Sequence, residues 1–236
     1  GTMKRGLILC GIAFFALFFV TERACLAESA KPIELKLSHF MSPMHNLQVD
    51  VFVPFAKEVE EKSKGRVKIT IFPGEAIGKA RDHFDMVTSG VTDLAFVIPT
   101  YTAGRFPLSA VMELPFLAPN ARVSSRVAWE LSTKGYFKKE YAGARMLSFW
   151  TTGPGNIFMI NKLVKTLDDV KGMRLRSPGP QQTILLKELG ISPLTLPISG
   201  TYEALQRGMA DGAISPLSTV VDFRFYGVVK YYTIVN

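Results

Sequence analysis

Cysteine is nearly absent: the 236-residue sequence has two, Cys10 and Cys25. Both fall in a leading segment that reads as removable, so the remainder has no disulfide framework and no thiolate chemistry. Histidine is scarce as well, with three residues and no His-x-x-x-His spacing or paired acidic ligands around them. Metal catalysis therefore has little to work with. Neither Gly-x-Ser-x-Gly nor a phosphate loop occurs, and Gly153-Pro154-Gly155 lacks the third glycine of a dinucleotide fingerprint. No nucleophile and base can be paired. These absences point to a protein that binds rather than an enzyme, with no metal and no cofactor.

What is present is uneven. The hydrophobic content of 47% and mean hydropathy of +0.18 are concentrated near the start. There Lys4 and Arg5 precede the apolar run Gly6 to Val20, and small residues close the segment at Ala24-Cys25-Leu26-Ala27. A basic start, an apolar middle and a small-residue exit are the layout of a secretory signal, and the apolar run is short for a membrane span. We expect residues 1–27 to be a signal peptide cut near Ala27 and the protein to be exported. The net charge is +8, of which Lys4, Arg5 and Arg23 against Glu22 supply +2, leaving +6 for residues 28–236. The basic residues alternate with acidic ones, as in Lys57-Glu58-Val59-Glu60-Glu61-Lys62, a pattern of solvated helix faces and not of a nucleic-acid groove.

Periodicity gives the order of elements. Ile33 to Phe40 alternates as a strand, Leu47 to Lys62 spaces Val51, Phe55 and Val59 as a helix, and Arg66 to Phe72 alternates again. Strand, helix, strand predicts a parallel pair with a right-handed crossover. A helix over about Lys79 to Thr88 and a buried strand over Leu94 to Ile98 follow, breaking at Pro99-Thr100-Tyr101. Val123 to Leu131 reads as a helix and Ala144 to Trp150 as a strand. Gly153-Pro154-Gly155 then marks a crossing into a second lobe, with strands at Ile157 to Ile160, Met173 to Arg176 and Leu194 to Leu196. Helices are expected to Leu189 and over Gly200 to Arg207, before Ala213-Ile214 and a strand-like ending at Tyr231 to Val235. We expect an α/β clamp of two lobes with mainly parallel sheets, residues 28–152 and 153–236, truncated at its C-terminus. Phe84 to Phe96 and Tyr202 to Ile214 run in parallel, each a helix, a glycine stop, an aspartate and a buried strand. A glycine stop is common to any such unit; two lobes on one plan also suit a hinged binder.

The stretch Lys171-Gly172-Met173-Arg174-Leu175-Arg176-Ser177-Pro178 carries the chemistry. A strand there puts Arg174 and Arg176 on one face and Met173 and Leu175 on the other. A guanidinium cannot deprotonate and presents a planar fork matched to a carboxylate, so a buried one needs an anion. That anion is either a protein carboxylate, with Asp168 and Asp169 close in sequence, or a ligand.

Several stretches together resemble the periplasmic solute-binding subunit of tripartite ATP-independent periplasmic (TRAP) transporters, the family of C4-dicarboxylate and sialic-acid binders. They include Phe55 to Ser63, Phe72-Pro73-Gly74, Gly90-Val91-Thr92-Asp93, Leu114-Pro115-Phe116, Leu167 to Arg176 and Tyr202 to Gly212, in that order. The resemblance implies a ligand held between lobes, its carboxylate received by Arg176, and delivery of that ligand to a membrane permease. Delivery to a membrane sensor is the alternative. It departs from the family's acidic-sugar binders at Asn156, where they carry a second arginine, at Ser215, where they carry asparagine, and at Ile198, where they carry an aromatic residue. With Ile98, Phe158 and Ile198 replacing polar anchors, we expect a small organic acid, a monocarboxylate with an apolar or aromatic body. The candidate contacts are Arg176, Asn156, Ser215, Tyr101, His39, Phe158 and Ile198, with His45 beside the same loop as His39. Asn156 caps the strand break or meets the ligand, and Tyr101 and the two histidines face the cleft or pack structurally.

Overall fold

The computed structural model describes residues 31–235; the expected signal segment, with both cysteines, lies outside them. Strand β1 (Ile33–Ser38) and strand β2 (Val67–Phe72) run parallel in register from Ile33 against Val67 to Ser38 against Phe72. A π-helical turn, Leu47–Phe52, feeds helix α1 (Val53–Lys62) between them, where Pro54 takes an early position that needs no N–H donor. Gly65, at φ +75°, then reverses the chain into β2, a conformation that glycine adopts without steric cost. The expected strand–helix–strand opening is therefore present.

Helix α2 (His83–Thr88) leads to strand β3 (Leu94–Ala95), which adds to the other side of β1. The sheet order is β2-β1-β3, all parallel. The apolar run Leu94 to Ile98 was expected to be strand throughout, but pairing stops early. β1 ends at Ser38, whose carbonyl accepts from Phe96, and Pro99 turns the chain.

Helix α3 (Ala121–Thr133) is capped by Asn120, whose side chain accepts from the Val123 N–H at 3.0 Å. The expected strand at Ala144 to Trp150 is irregular instead. Its aromatic residues pack without a ladder: Phe149 meets Phe137 edge-on at 5.5 Å, and Trp150 stacks on Phe96 at 5.5 Å. The apolar and aromatic content of this stretch does not reveal whether a strand lies alongside to pair.

The second sheet holds strands β4 (Asn156–Met159), β5 (Arg174–Ser177), β6 (Ser192–Thr195), β7 (Gly212–Ser215) and β8 (Tyr231–Thr233) in the order β6-β5-β7-β4-β8. Helix α4 (Pro180–Glu188) connects β5 to β6, and α5 (Thr201–Gln206) precedes β7. β5 pairs in parallel with β6 and β7, whereas β4 is antiparallel to β7 and β8. Four of the six strand pairs are parallel, so the mainly parallel α/β expectation holds with one reversed strand. A short helix α6 (Thr219–Asp222) follows β7.

The two halves meet in a shared core. Leu37, Phe40, Phe52 and Ile69 from the first half share a core with Phe158, Leu205, Ala213 and Phe225 from the second. Leu175, Met159, Leu186 and Ile191 form a second core on the opposite face, under α4. Among the described residues no helix is long and apolar enough to cross a membrane.

Candidate ligand-binding site

Strand register decides what surrounds Arg176. Cross-strand partners point to one side of a sheet. Arg176 is partnered by Leu194 and Ala213, Ala213 by Phe158, and Phe158 by Tyr232. A guanidinium thus stands in a row of apolar side chains facing the shared core, next to the smallest of them, Ala213. Two residues further along the same face, Ser215 and Asn156 oppose each other on β7 and β4. The sheet therefore gathers Arg176, Phe158, Ser215 and Asn156 on one face.

Arg176 is 2% exposed. Its Nε donates to the Leu196 carbonyl at 2.9 Å and its Nη1 to the Ile214 carbonyl at 3.4 Å, while Nη2 has no acceptor. No salt bridge reaches it among the described residues. Asp168 pairs with Lys171 and Asp169 with Lys162, so the acidic neighbours in sequence are engaged elsewhere. Burial pushes Arg176 below the ordinary arginine value, with Tyr101 opposing the push. A guanidinium starts so far above neutrality that it stays charged. A buried cation without a counter-charge is costly, and an anion supplied from outside removes that cost.

Tyr101 arrives from the first half, in the turn Pro99–Tyr101 that follows β3. Its ring lies 5.8 Å from Phe40, its hydroxyl oxygen accepts from the Ile198 N–H at 3.0 Å, and it lies beside the Arg176 guanidinium. Burial pushes the phenol above the ordinary tyrosine value, against the pull of Arg176. Ile198 itself is buried in the shared core. Tyr101 thus reaches from the first half to Arg176 and Ile198 of the second.

The remaining candidates are placed differently. Asn156 is engaged at both ends of its amide: Nδ2 donates to the Pro154 carbonyl at 3.1 Å, and Oδ1 accepts from the Val235 N–H at 3.2 Å. It seals the strand break, the capping alternative. His39 is buried on the helix side of β1, with Nε2 at 2.6 Å from Gln48 Oε1 and its ring 5.0 Å from Phe52. Phe158 packs against Tyr232 and Phe225 at 5.5 and 6.4 Å between ring centres. His45 accepts from the Leu47 N–H through Nδ1, which leaves its Nε2 toward Asp222 of α6 at 3.9 Å. Each histidine flanking the first loop has one ring nitrogen hydrogen-bonded, Nε2 of His39 and Nδ1 of His45, while His39 Nδ1 is buried without a partner.

A cleft of about 340 Å³ opens beside this group, lined by Thr100, Tyr101, Pro178, Thr195, Leu196 and Pro197 among others. It lies at the C-terminal ends of β5 and β6, where α/β sheets commonly hold ligands. Arg176 is not in its lining; Tyr101 and Leu196 stand between the two, since Arg176 donates to the Leu196 carbonyl. The hydroxyls of Thr183 and Thr195 in this wall bond to each other at 2.7 Å and to Ser177, so their hydrogen bonds are already made. Two buried donors at this place lack an acceptor, Arg176 Nη2 and, in the cleft wall itself, the Thr100 hydroxyl. The Leu196 and Ile214 carbonyls that steer it carry no sequence signal, because every residue type offers the same acceptor.

The arrangement is that of an α/β binding protein with its polar contacts at strand ends. The chain belongs to family 7 of the bacterial extracellular solute-binding proteins, whose profile matches residues 37–236. A solute-binding protein of Albidiferax ferrireducens is 29% identical over 184 residues, covering 76% of this chain and 53% of that protein. A TRAP solute-binding protein of Rhodoferax ferrireducens, crystallised with copurified benzoate, superposes with a TM-score of 0.80 at 32% identity, over 85% of this chain and 62% of that one. A TRAP periplasmic protein of Bordetella bronchiseptica with bound (R)- and (S)-mandelate gives 0.79 at 33% identity, over 85% and 64%. The chain spans 53% to 64% of the length of these three relatives.

Proposed function

We propose that this protein captures a small organic acid outside the cytoplasm, a monocarboxylate with an apolar or aromatic body, and delivers it to a TRAP-type membrane permease. The observation that carries this reading is Arg176, buried at 2% exposure, without a carboxylate partner among the described residues and with Nη2 lacking an acceptor. A ligand carboxylate supplies the missing charge and a second oxygen for the fork. The apolar row of Leu194, Ala213 and Phe158 beside that cation favours a ligand with an apolar body. Relatives that carry benzoate and mandelate support the same chemistry. On this reading residues 28–152 and 153–236 act as two lobes, and residues 1–27 direct export and are cut near Ala27. Binding involves no bond making.

Thermal-shift screening of the exported protein against benzoate, mandelate, aliphatic acids, sugar acids and neutral sugars tests the proposal. A ligand that binds only the folded state raises the melting temperature. We expect the rise with monocarboxylates, aromatic ones foremost. A rise confined to neutral sugars would overturn the assignment.

A further inference from the structure

Resting on that reading of Arg176, we infer that the Tyr101 hydroxyl is the second donor to the ligand carboxylate, so that the anion itself ties one half of the molecule to the other. A phenol oxygen has one proton and two lone pairs. The Ile198 N–H occupies one lone pair at 3.0 Å, and the oxygen also lies against the Arg176 guanidinium, which only donates. Neither neighbour can take the phenol proton, and none of the described side chains or carbonyls accepts it. Arg176 Nη2 is equally without an acceptor. Two unspent donors side by side call for an acceptor with more than one oxygen. A carboxylate offers two, whereas an amide would turn an NH2 group against one of the donors.

The placement adds a consequence. Tyr101 follows β3 of the first sheet, while Arg176 and Ile198 belong to the second half. A carboxylate held by both donors bridges the halves directly, and the Tyr101–Ile198 bond holds the phenol in place for it. Donation from the Ile198 N–H into the phenol oxygen, with the Arg176 charge beside it, also polarises its O–H, which strengthens it as a donor.

The test is a double-mutant cycle on the full chain. Binding of benzoate, mandelate and 3-hydroxybenzoate is measured calorimetrically for wild type, Tyr101→Phe, Arg176→Lys and the double variant, with benzamide as the uncharged probe and a melting curve confirming each fold. We expect Tyr101→Phe to weaken benzoate roughly tenfold, as loss of a hydrogen bond to a charged group does. We also expect the double variant to lose less than the product of the single losses, because both residues act on one carboxylate, and discrimination against benzamide to shrink. A residue that merely packs would weaken both probes alike, and its effect would multiply independently with that of Arg176→Lys. Either independence or a change below twofold in Tyr101→Phe, with Arg176→Lys still impaired, overturns this inference and leaves the proposed function standing. Full retention of affinity in both single variants, or no binding of any of the three acids to the wild type, overturns the proposed function along with it.

Discussion

Strand β5 carries an arginine near each end, on the same face and under opposite conditions. Arg174 is half exposed and fully matched: its Nη2 reaches Asp211 Oδ1 at 2.6 Å, its Nε reaches Oδ2 at 3.3 Å, and its own backbone N–H donates to Oδ2 at 2.8 Å. Arg176 is buried and matched by carbonyls alone. A cation that water already solvates gained a carboxylate, and the one that most needs a carboxylate has none among the described residues. Structural economy would give the reverse, so the difference separates a residue that holds the fold from one that waits for a ligand.

Binding breaks the comparison most sharply. Arg176→Ala should lose about 1.5–3 kcal/mol of carboxylate affinity, roughly ten- to a hundredfold, the range for a hydrogen bond to a charged group. Arg174→Ala should bind within about twofold of wild type. Calorimetric titration of both variants with the same acid checks it, and equal losses would mean that the two arginines do the same work.

Stability should run the other way, with smaller numbers. Asp211→Asn weakens the fork on Arg174 and the bond to its backbone. Exposures of 49% for the Arg174 side chain and 33% for that of Asp211 discount the pair for solvent screening, which leaves about 1 kcal/mol. The first half offers an internal control. Asp93 accepts from the Lys36 N–H at 2.8 Å and donates its own N–H to the Lys36 carbonyl, as Asp211 does with Arg174, but binds no side chain. Asp93→Asn should therefore cost less, about 0.5 kcal/mol on the same scale. Denaturant midpoints of the two variants settle the order, and added salt should narrow the gap between them.

The smallest effect is one of pH. Burial first, with the Gln48 hydrogen bond opposing it, holds His39 below the ordinary imidazole value of 6.5; burial holds His45 below it too, against the pull of Asp222. Folding thus favours both neutral forms. Their contribution is complete above the unfolded value of 6.5 and is lost as pH falls through the depressed folded values. The melting temperature should be level above about pH 7 and decline below 6.5, before the carboxylates titrate. His45→Gln should flatten that decline, and an unchanged slope would remove His45 from the account.

The paired units around Asp93 and Asp211 were legible in the sequence as helix, glycine, aspartate and strand, and they fold alike down to their hydrogen bonds. Gly90 and Gly208 both take positive φ, and the N–H groups of Val91 and Met209 return to Met86 and Ala204. The periodicity that placed α1, β2 and α5 is a local property of the chain. Pairing is not, which is why Ala144 to Trp150 reads as a strand yet has no ladder, and why the reversed direction of β4 left no trace in its residues. The contrast between Arg174 and Arg176 was hidden for the same reason. Spacing puts them on one face, but only the register of β7 sets Asp211 beside the first and Ala213 beside the second. At the end of β1 His39 has its Nε2 held by Gln48, nine residues on, a contact that spacing does not reveal.

The most direct measurement is a crystal structure of the protein with a bound monocarboxylate such as benzoate. The account predicts a ligand oxygen at about 2.7–2.9 Å from Arg176 Nη2, the distance of a charge-assisted bond, with Arg174 still on Asp211. A ligand seated elsewhere, with Arg176 Nη2 donating to a protein carboxylate, would contradict it.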